Sequence, residues 1–546
     1  MKKKVVAVLL VMAMCTAMVS ACGKGDAGDG VQKDSAVSDS SVESHVVDEN
    51  GKINGLMYAE GLPLVDEGAY TFSIFCDDSS ETGQFVMLDR FKEQTNVDVD
   101  LRIFPNETAT ERLNLDLNSG EYADVVGGWI LNDNMILNYG VQQGVFIPLE
   151  DYFEKYCPNI SAMLELPGVR EKMTAPDGHI YTIPYVTKDA IVGYSPYINE
   201  QWLENVGMGM PATTDEFAAV LKAFKAQDAN GNGNPNDEIP FSTDPNNKHI
   251  EAMTGWFGLP MNKVGMGILD GEVTYAGISS QYREFLSWFN KLYEDGLIDV
   301  ELYTQDSSTW EGKGNKDLYG VSIAYGSSEF SGIPTAEEKS VFSSLPVLNT
   351  DKGGKWLRDT DGFSVYRTQA VITNNAKNPE IICRWFDNAF ELENGIGCST
   401  GPVGVIVEKR DDGYHELDRT KLSEEDQEKY AWNNLWVQSL PKYVDPEFEM
   451  VKDHPMYDEK KVMEETYEPH LTDEVIIANW IALDQIDTYA DTNSAIQDYF
   501  TQQQAQFVVG QTDIDNDADW QAYVDGLYAL GLEKWLETQG ITSITE

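Results

Sequence analysis

The stretch from Tyr70 to Trp129 constrains the fold more than any other part of the chain. Tyr70, Phe72, Ile74 and Cys76 alternate with smaller or polar residues until Asp77-Asp78-Ser79-Ser80 breaks the run. Period-two alternation closed by a polar cluster predicts a strand. Phe85, Leu88 and Phe91 then share one helical face, and Val97, Val99, Leu101 and Ile103 alternate as the next strand. After a helix expected around Thr108 to Asn118, Asp124-Val125-Val126-Gly127-Gly128-Trp129 reads as a short buried strand that stops at glycines. Strand, helix, strand, helix, strand at this spacing implies an α/β sheet with parallel pairs, since a parallel partner needs a crossover long enough to hold a helix.

Length sets the number of cores. The chain has 546 residues, and its folded body is expected to begin near Leu62. Single cores stop growing at about 250–300 residues, so two lobes are expected. Two helices can be placed closely. Thr213 and Glu216 form a capping-box pair ahead of Phe217, Val220, Leu221 and Phe224, which repeat at helical spacing. Asn378-Pro379 opens another, burying Ile382, Trp385, Phe386 and Ala389, with proline at the first helical position. The acidic, aromatic tail from about Glu424 reads as several helices, with Trp432 and Trp436 on one buried face.

The N-terminus sets the compartment. Lys2, Lys3 and Lys4 precede an apolar run from Val5 to Val19, too short to span a bilayer comfortably. Val19-Ser20-Ala21-Cys22-Gly23 resembles a bacterial lipobox, so residues 1–21 are expected to be a signal peptide and Cys22 the lipidated first residue. An ordinary signal peptide or an uncleaved anchor is the alternative. Residues 22–61 are rich in Gly, Ser, Asp and Val and are expected to form a flexible tether holding the body off the membrane.

Charge narrows the partners. A formal net charge of −52 repels nucleic acid and anionic lipid, and fits neutral or cationic ligands better than polyanions. Beyond Cys15 and Cys22, the cysteines are Cys76, Cys157, Cys383 and Cys398, without metal-like spacing; Cys383 and Cys398 either pair or, like the others, stay as isolated buried thiols. Gly-x-Ser-x-Gly, HExxH and P-loop motifs are absent, and the six histidines are scattered. The sequence therefore carries no recognisable catalytic set.

One loop carries a mechanism. Asp228, Asn230 and Asn232 with Gly233 follow the first half of an EF-hand loop, positions 1, 3, 5 and 6. Asp228, Asn230 and Asn232 would bind a structural Ca²⁺ through side chains and Asn234 through its carbonyl, with Asp237 and Glu238 closing the sphere. The twelfth position is Ile239 rather than Glu. A solvated Asn/Gly turn is the alternative.

The order of several short motifs gives a family resemblance. Ser119-Gly120-Glu121-Tyr122-Ala123-Asp124-Val125, Gly144-Val145-Phe146-Ile147-Pro148-Leu149, Asp177-Gly178-His179-Ile180-Tyr181-Thr182-Ile183-Pro184 and the stretch from Met210 to Pro240 resemble the lipoprotein solute-binding proteins of carbohydrate ABC importers, extracellular solute-binding family 1. The resemblance implies a periplasmic-binding-protein type II fold, two α/β lobes joined by hinge crossings near Thr187 and Tyr325. Lobe 1 would comprise residues 62–187 and 326–395, and lobe 2 residues 188–325 and 396–546. It also implies a structural calcium, an oligosaccharide ligand, and membrane permease subunits as partners.

Ligands of open α/β lobes bind beyond the carboxyl ends of strands. Trp129 ends such a strand, with Asn132 and Asp133 following to accept sugar hydroxyls. Tyr185, Trp256, Tyr325 and Asp361 are further candidates, each also readable as a packing residue. The competing functions are a surface-anchored glycan hydrolase and a binder of the same fold that serves peptides or a sensor kinase.

Overall fold

The computed structural model describes residues 47–77, 84–244, 250–332, 340–360, 363–452 and 457–545. Of the two compact units of the chain, 1–43 and 44–546, all of these fall in the second. The signal segment, Cys22 and Asp361 lie outside the described residues.

A five-stranded sheet runs in the order Val97–Phe104, Tyr70–Asp77, Val125–Gly127, Phe363–Ile372, Thr182–Lys188. Tyr70–Asp77 pairs in parallel with both neighbours, Ile74 lying opposite Leu101 on one side and Val125 on the other. That is the pattern the strand–helix–strand spacing dictates, and Ile74, Cys76 and Val125 are buried as the alternation requires. A four-stranded sheet runs Phe342–Ser344, Ser195–Asn199, Tyr319–Ala324, Ile239–Thr243, with only the last pair parallel.

Each sheet has its own core. The helix Thr214–Ala226 buries Phe217, Val220, Leu221 and Phe224 against the second sheet. Thr213 Oγ1 accepts the Glu216 amide at 3.2 Å, while Glu216 Oε2 reaches the Ala212 amide at 2.8 Å. Helix Pro379–Asp387 packs Ile382, Trp385 and Phe386 into the first core.

Four expectations need correction. Residues 47–61 are not free tether: Lys52–Ile53 and Met57–Tyr58 form a hairpin whose Ile53 and Met57 are buried in the first core. The apolar Ile53, Leu56 and Met57 supply enough buried surface to order a segment whose polar composition suggested otherwise. The boundary at Tyr325 comes too early, because Phe342–Ser344 still pairs with Ser195–Asn199 in the second sheet. The boundary at Ile396 also comes too early, because Cys398, Trp436 and Leu440 belong to the first core. The Trp436 indole lies 5.8 Å from that of Trp385 and 5.1 Å from Phe91, filling a space the first sheet's helices leave between them. Trp432 does not share its buried face; it is 37% exposed under the Arg419 guanidinium.

Cys76, Cys157, Cys383 and Cys398 are buried and none is in a disulfide, so Cys383 and Cys398 do not pair with each other. No described helix is long and apolar enough to cross a membrane.

Candidate functional site

The chain leaves the first sheet at Lys188 and joins the second at Ser195. Residues of this crossing meet the end of the strand Tyr319–Ala324 and the return into Phe363–Ile372. Together with residues 251–264 they line a cavity of about 510 Å³, whose wall includes Asp189, Tyr194, Tyr325, Asp359, Ser364 and Tyr366.

Asp189 organises this cavity. Its Oδ1 accepts the Tyr325 hydroxyl at 2.9 Å, and its Oδ2 accepts the hydroxyls of Ser364 and Tyr366, each at 2.8 Å. Tyr325 follows a strand of the second sheet, while Ser364 and Tyr366 stand on a strand of the first. One carboxylate thus ties both sheets at the point where the chain crosses. Burial, reinforced by the adjacent Asp189 charge, pushes both phenols well above their ordinary range, so they remain donors.

An aromatic wall extends from this centre. Trp129 is half exposed and meets Tyr366 edge-on at 5.4 Å. The glycine before it is required: at Gly128 φ is +122°, and a Cβ there would meet Asp77 Oδ1 at 1.7 Å. Tyr185 is Tyr366's cross-strand partner and stacks on it at 5.5 Å. The Lys442 ammonium also lies over the Tyr185 ring, at 4.6 Å, so this tyrosine supports the wall more than it offers a stacking face. Tyr194 meets Tyr325 edge-on at 6.0 Å.

Lys460 secures Tyr325 from behind. Its Nζ lies 3.6 Å from the ring centre and donates to the carbonyls of Tyr325 and Gly193 at 2.7 and 3.0 Å. Burial pulls the ammonium down to about 8 against the pull of nearby carboxylates. Asp359 accepts the Gly193 amide and reaches solvent in the cleft, yet the crowding protein around it pushes its carboxyl up to about 6. Its folded-state value lies above the reference of 3.8, so its ionisation favours the unfolded chain and the penalty grows as pH rises through 6. Asp359→Asn is therefore expected to raise stability at neutral pH by about 1 kcal/mol after allowance for its solvent access. The gain should shrink as pH falls towards 4, which melting curves across that range will show.

The remaining candidates lie elsewhere. Asn132 caps a short helix, its Oδ1 accepting the Met135 amide at 3.0 Å. Asp133 forms a two-point pair with Arg367, the Nε contact at 2.8 Å, rather than facing a ligand. Arg367 in turn stacks on Trp480 at 4.3 Å and donates to the Ala478 carbonyl at 2.9 Å. Trp256 is core, fully buried among Phe217 and Trp288 at ring distances of 5.4 and 5.9 Å. Its segment Ile250–Phe257 forms a short helix lying on the second core. Sequence reading missed Asp189, Tyr194, Asp359, Tyr366 and Lys460. Asp189 carried a signal, a lone carboxylate just past the strand that ends at the first crossing.

The Asp228 loop folds as a turn held by its own side chains. Gly231 and Gly233 take φ of +70° and +89°, which side chains disfavour. Asn230 and Asn232 direct their amide groups at Asp237, at 3.4 and 3.0 Å, and the Asn234 carbonyl accepts the Asn236 amide at 2.8 Å. Asp228 Oδ2 accepts the Gly233 amide and Glu238 Oε1 the Ala229 amide, both at 3.0 Å. Their other oxygens, Asp228 Oδ1 and Glu238 Oε2, are buried without a hydrogen-bond partner. Burial, with the charges of Asp237 and Asp228, holds the Glu238 carboxyl above its usual range. Among the described residues no group of three or more His, Cys, Asp or Glu is placed to hold a metal, Asp228, Asp237 and Glu238 included.

Comparison with known proteins agrees with this architecture. The chain is 32% identical over 349 residues to the fructooligosaccharide ABC transporter substrate-binding protein FusA of Streptococcus pneumoniae, covering 62% of this chain and 63% of FusA. It is 26% identical over 350 residues to the lipoprotein LipO of Bacillus subtilis, covering 62% and 66% respectively. The chain thus spans just under two thirds of the length of these curated relatives. A solved complex of FusA with kestose superposes with a TM-score of 0.75 at 27% identity, over 86% of this chain and 98% of that one. The alginate-binding protein AlgQ2, solved without calcium ion, shares the fold, with a TM-score of 0.70 at 22% identity over 88% and 99% of the two chains. The fold is of the periplasmic-binding-protein type II kind. Residues 86–377 match the family model for bacterial extracellular solute-binding proteins, more than half of the chain, and the protein belongs to that family.

Proposed function

We propose that this protein captures a neutral oligosaccharide in the cleft around Asp189 and delivers it to the permease subunits of an ABC importer. The observation that carries the reading is the cleft itself. A half-exposed Trp129 and the tyrosines 325 and 366 supply apolar faces, and a carboxylate-centred hydroxyl cluster supplies polar partners. Sugar rings need both, one for their apolar face and one for their hydroxyls. The likeness to FusA makes fructooligosaccharides the first ligands to test. Two lobes built on the two sheets, closing over the cavity, are the expected mode of capture. A hydrolase is the weaker reading, because the family is one of binding proteins; release of sugars from incubated glycan would revive it.

Thermal melting of the purified chain against a panel of neutral oligosaccharides and peptides tests the proposal. A ligand that binds only the folded state raises the midpoint by mass action. An upward shift with sugars and none with peptides supports capture of oligosaccharide; the opposite pattern keeps the fold and removes the sugar.

The Asp228 loop would hold a structural calcium ion. What supports this is its pair of buried, unpartnered carboxylate oxygens, Asp228 Oδ1 and Glu238 Oε2, which want a cation and lack any other donor. Asp228, Asn230, Asn232, Asn234, Asp237 and Glu238 are the residues that would supply oxygens. Calcium at a hundred times its dissociation constant is expected to add about 2.7 kcal/mol of stability, and chelator to remove it. Asp228→Asn combined with Glu238→Gln should abolish the calcium dependence of the melting midpoint. A midpoint indifferent to both calcium and chelator makes the loop a turn. We further propose that Cys22 carries the lipid that holds the protein on the extracytoplasmic face of the membrane; a mass increment on the N-terminal peptide, lost in Cys22→Ala, tests it.

A further inference from the structure

We propose that Asp189 makes the cleft a reader of hydroxyl donors and thereby excludes acidic sugars, an inference that rests on the oligosaccharide reading above. Three hydroxyl protons, those of Tyr325, Tyr366 and Ser364, are drawn into this one carboxylate. An ionised carboxylate can only accept, so none of the three hydroxyls can reverse without breaking its bond. With their protons committed, these oxygens have only lone pairs to offer the cavity they line.

A neutral sugar hydroxyl satisfies such a surface by donating to it. A uronate carboxylate cannot, because it brings acceptors to acceptors. The charges in the wall act in the same direction. Asp189, Glu251 and Asp359 line the cavity against the single lysine Lys263. Lys460, over the Tyr325 ring, commits two of its three N–H donors to the carbonyls of Gly193 and Tyr325. Ligand polarity is thus set through the hydroxyls that Asp189 orients, which makes Asp189 a positioning residue.

Asp189→Asn separates this role from a merely structural one. An asparagine has one accepting oxygen and a donating amide, so at least one of the three hydroxyls must turn its proton into the cavity. The affinities of the full-length protein for kestose and for trigalacturonate are measured by titration calorimetry, in wild type and variant. Wild type is expected to bind kestose and to bind trigalacturonate at least about tenfold more weakly, the value of one good hydrogen bond. In Asp189→Asn that ratio is expected to fall towards one, with kestose weakened by about tenfold. A structural role alone would weaken both ligands in parallel and leave the ratio unchanged, which overturns the proposal. Should Asp189→Asn fail to fold, Tyr325→Phe and Tyr366→Phe keep the rings and remove one oriented oxygen each; loss of discrimination supports the proposal and an unchanged ratio overturns it. Wild type that binds trigalacturonate as well as kestose overturns it while leaving oligosaccharide capture standing. Wild type that binds neither, nor any sugar of the melting panel, removes both readings.

Discussion

Trp129→Ala is expected to weaken oligosaccharide binding by about 2 kcal/mol or more, near thirtyfold in dissociation constant, with little change in stability. The asymmetry follows from where the indole stands. It is half exposed at the end of a strand and meets the Tyr366 ring edge-on. Removing it uncovers little core, and substitutions at such positions shift stability by only about 0.5 kcal/mol. In the bound state the same ring would lie flat against a sugar's apolar face, an area that alanine cannot replace. Titration and melting on the same sample check both halves. A large loss of stability would show that Trp129 packs the first lobe rather than the ligand.

Trp256→Ala is expected to do the reverse, lowering stability by about 3–5 kcal/mol as large-to-small core changes do. Trp256 has no exposed surface and is held edge-on between Phe217 and Trp288. Its loss opens a cavity at the contact between the helix Thr214–Ala226 and the helix Ser280–Glu294. Neither helix lines the cavity, and Trp256's own helix Ile250–Phe257 gives it only Glu251 and Ala252, so the fraction that folds should bind with far less loss than Trp129→Ala shows. Denaturant unfolding measures the first effect and titration at low temperature the second. Weakened binding without destabilisation would return Trp256 to the ligand site.

These two tryptophans also show how far the sequence could be read. Both follow a glycine and both look like loop aromatics in the chain, yet one is half exposed and the other is sealed. Periodicity speaks for elements, and it placed the strand Tyr70–Asp77 and the helix Thr214–Ala226 correctly. It says nothing about which neighbours close over a short irregular segment such as Ile250–Phe257. Asp133 illustrates a second limit. Its loop position was legible, but its partner Arg367 is 234 residues away, and an ion pair at that separation leaves no local pattern. The Asp189 cluster has the same character, drawing Ser364 and Tyr366 from a strand that begins 174 residues later. By contrast the turn at Asp228 was legible as a turn, because its residues are consecutive and its glycines fix it.

Titration calorimetry of the purified chain with neutral oligosaccharides, beside Trp129→Ala and Tyr366→Ala, tests most directly that the cleft around Asp189 is the capture site. The structure predicts saturable one-to-one binding to the wild type that is lost or strongly weakened in both variants. Binding that survives both substitutions unchanged, or heat evolved with peptides and with no sugar, would contradict it.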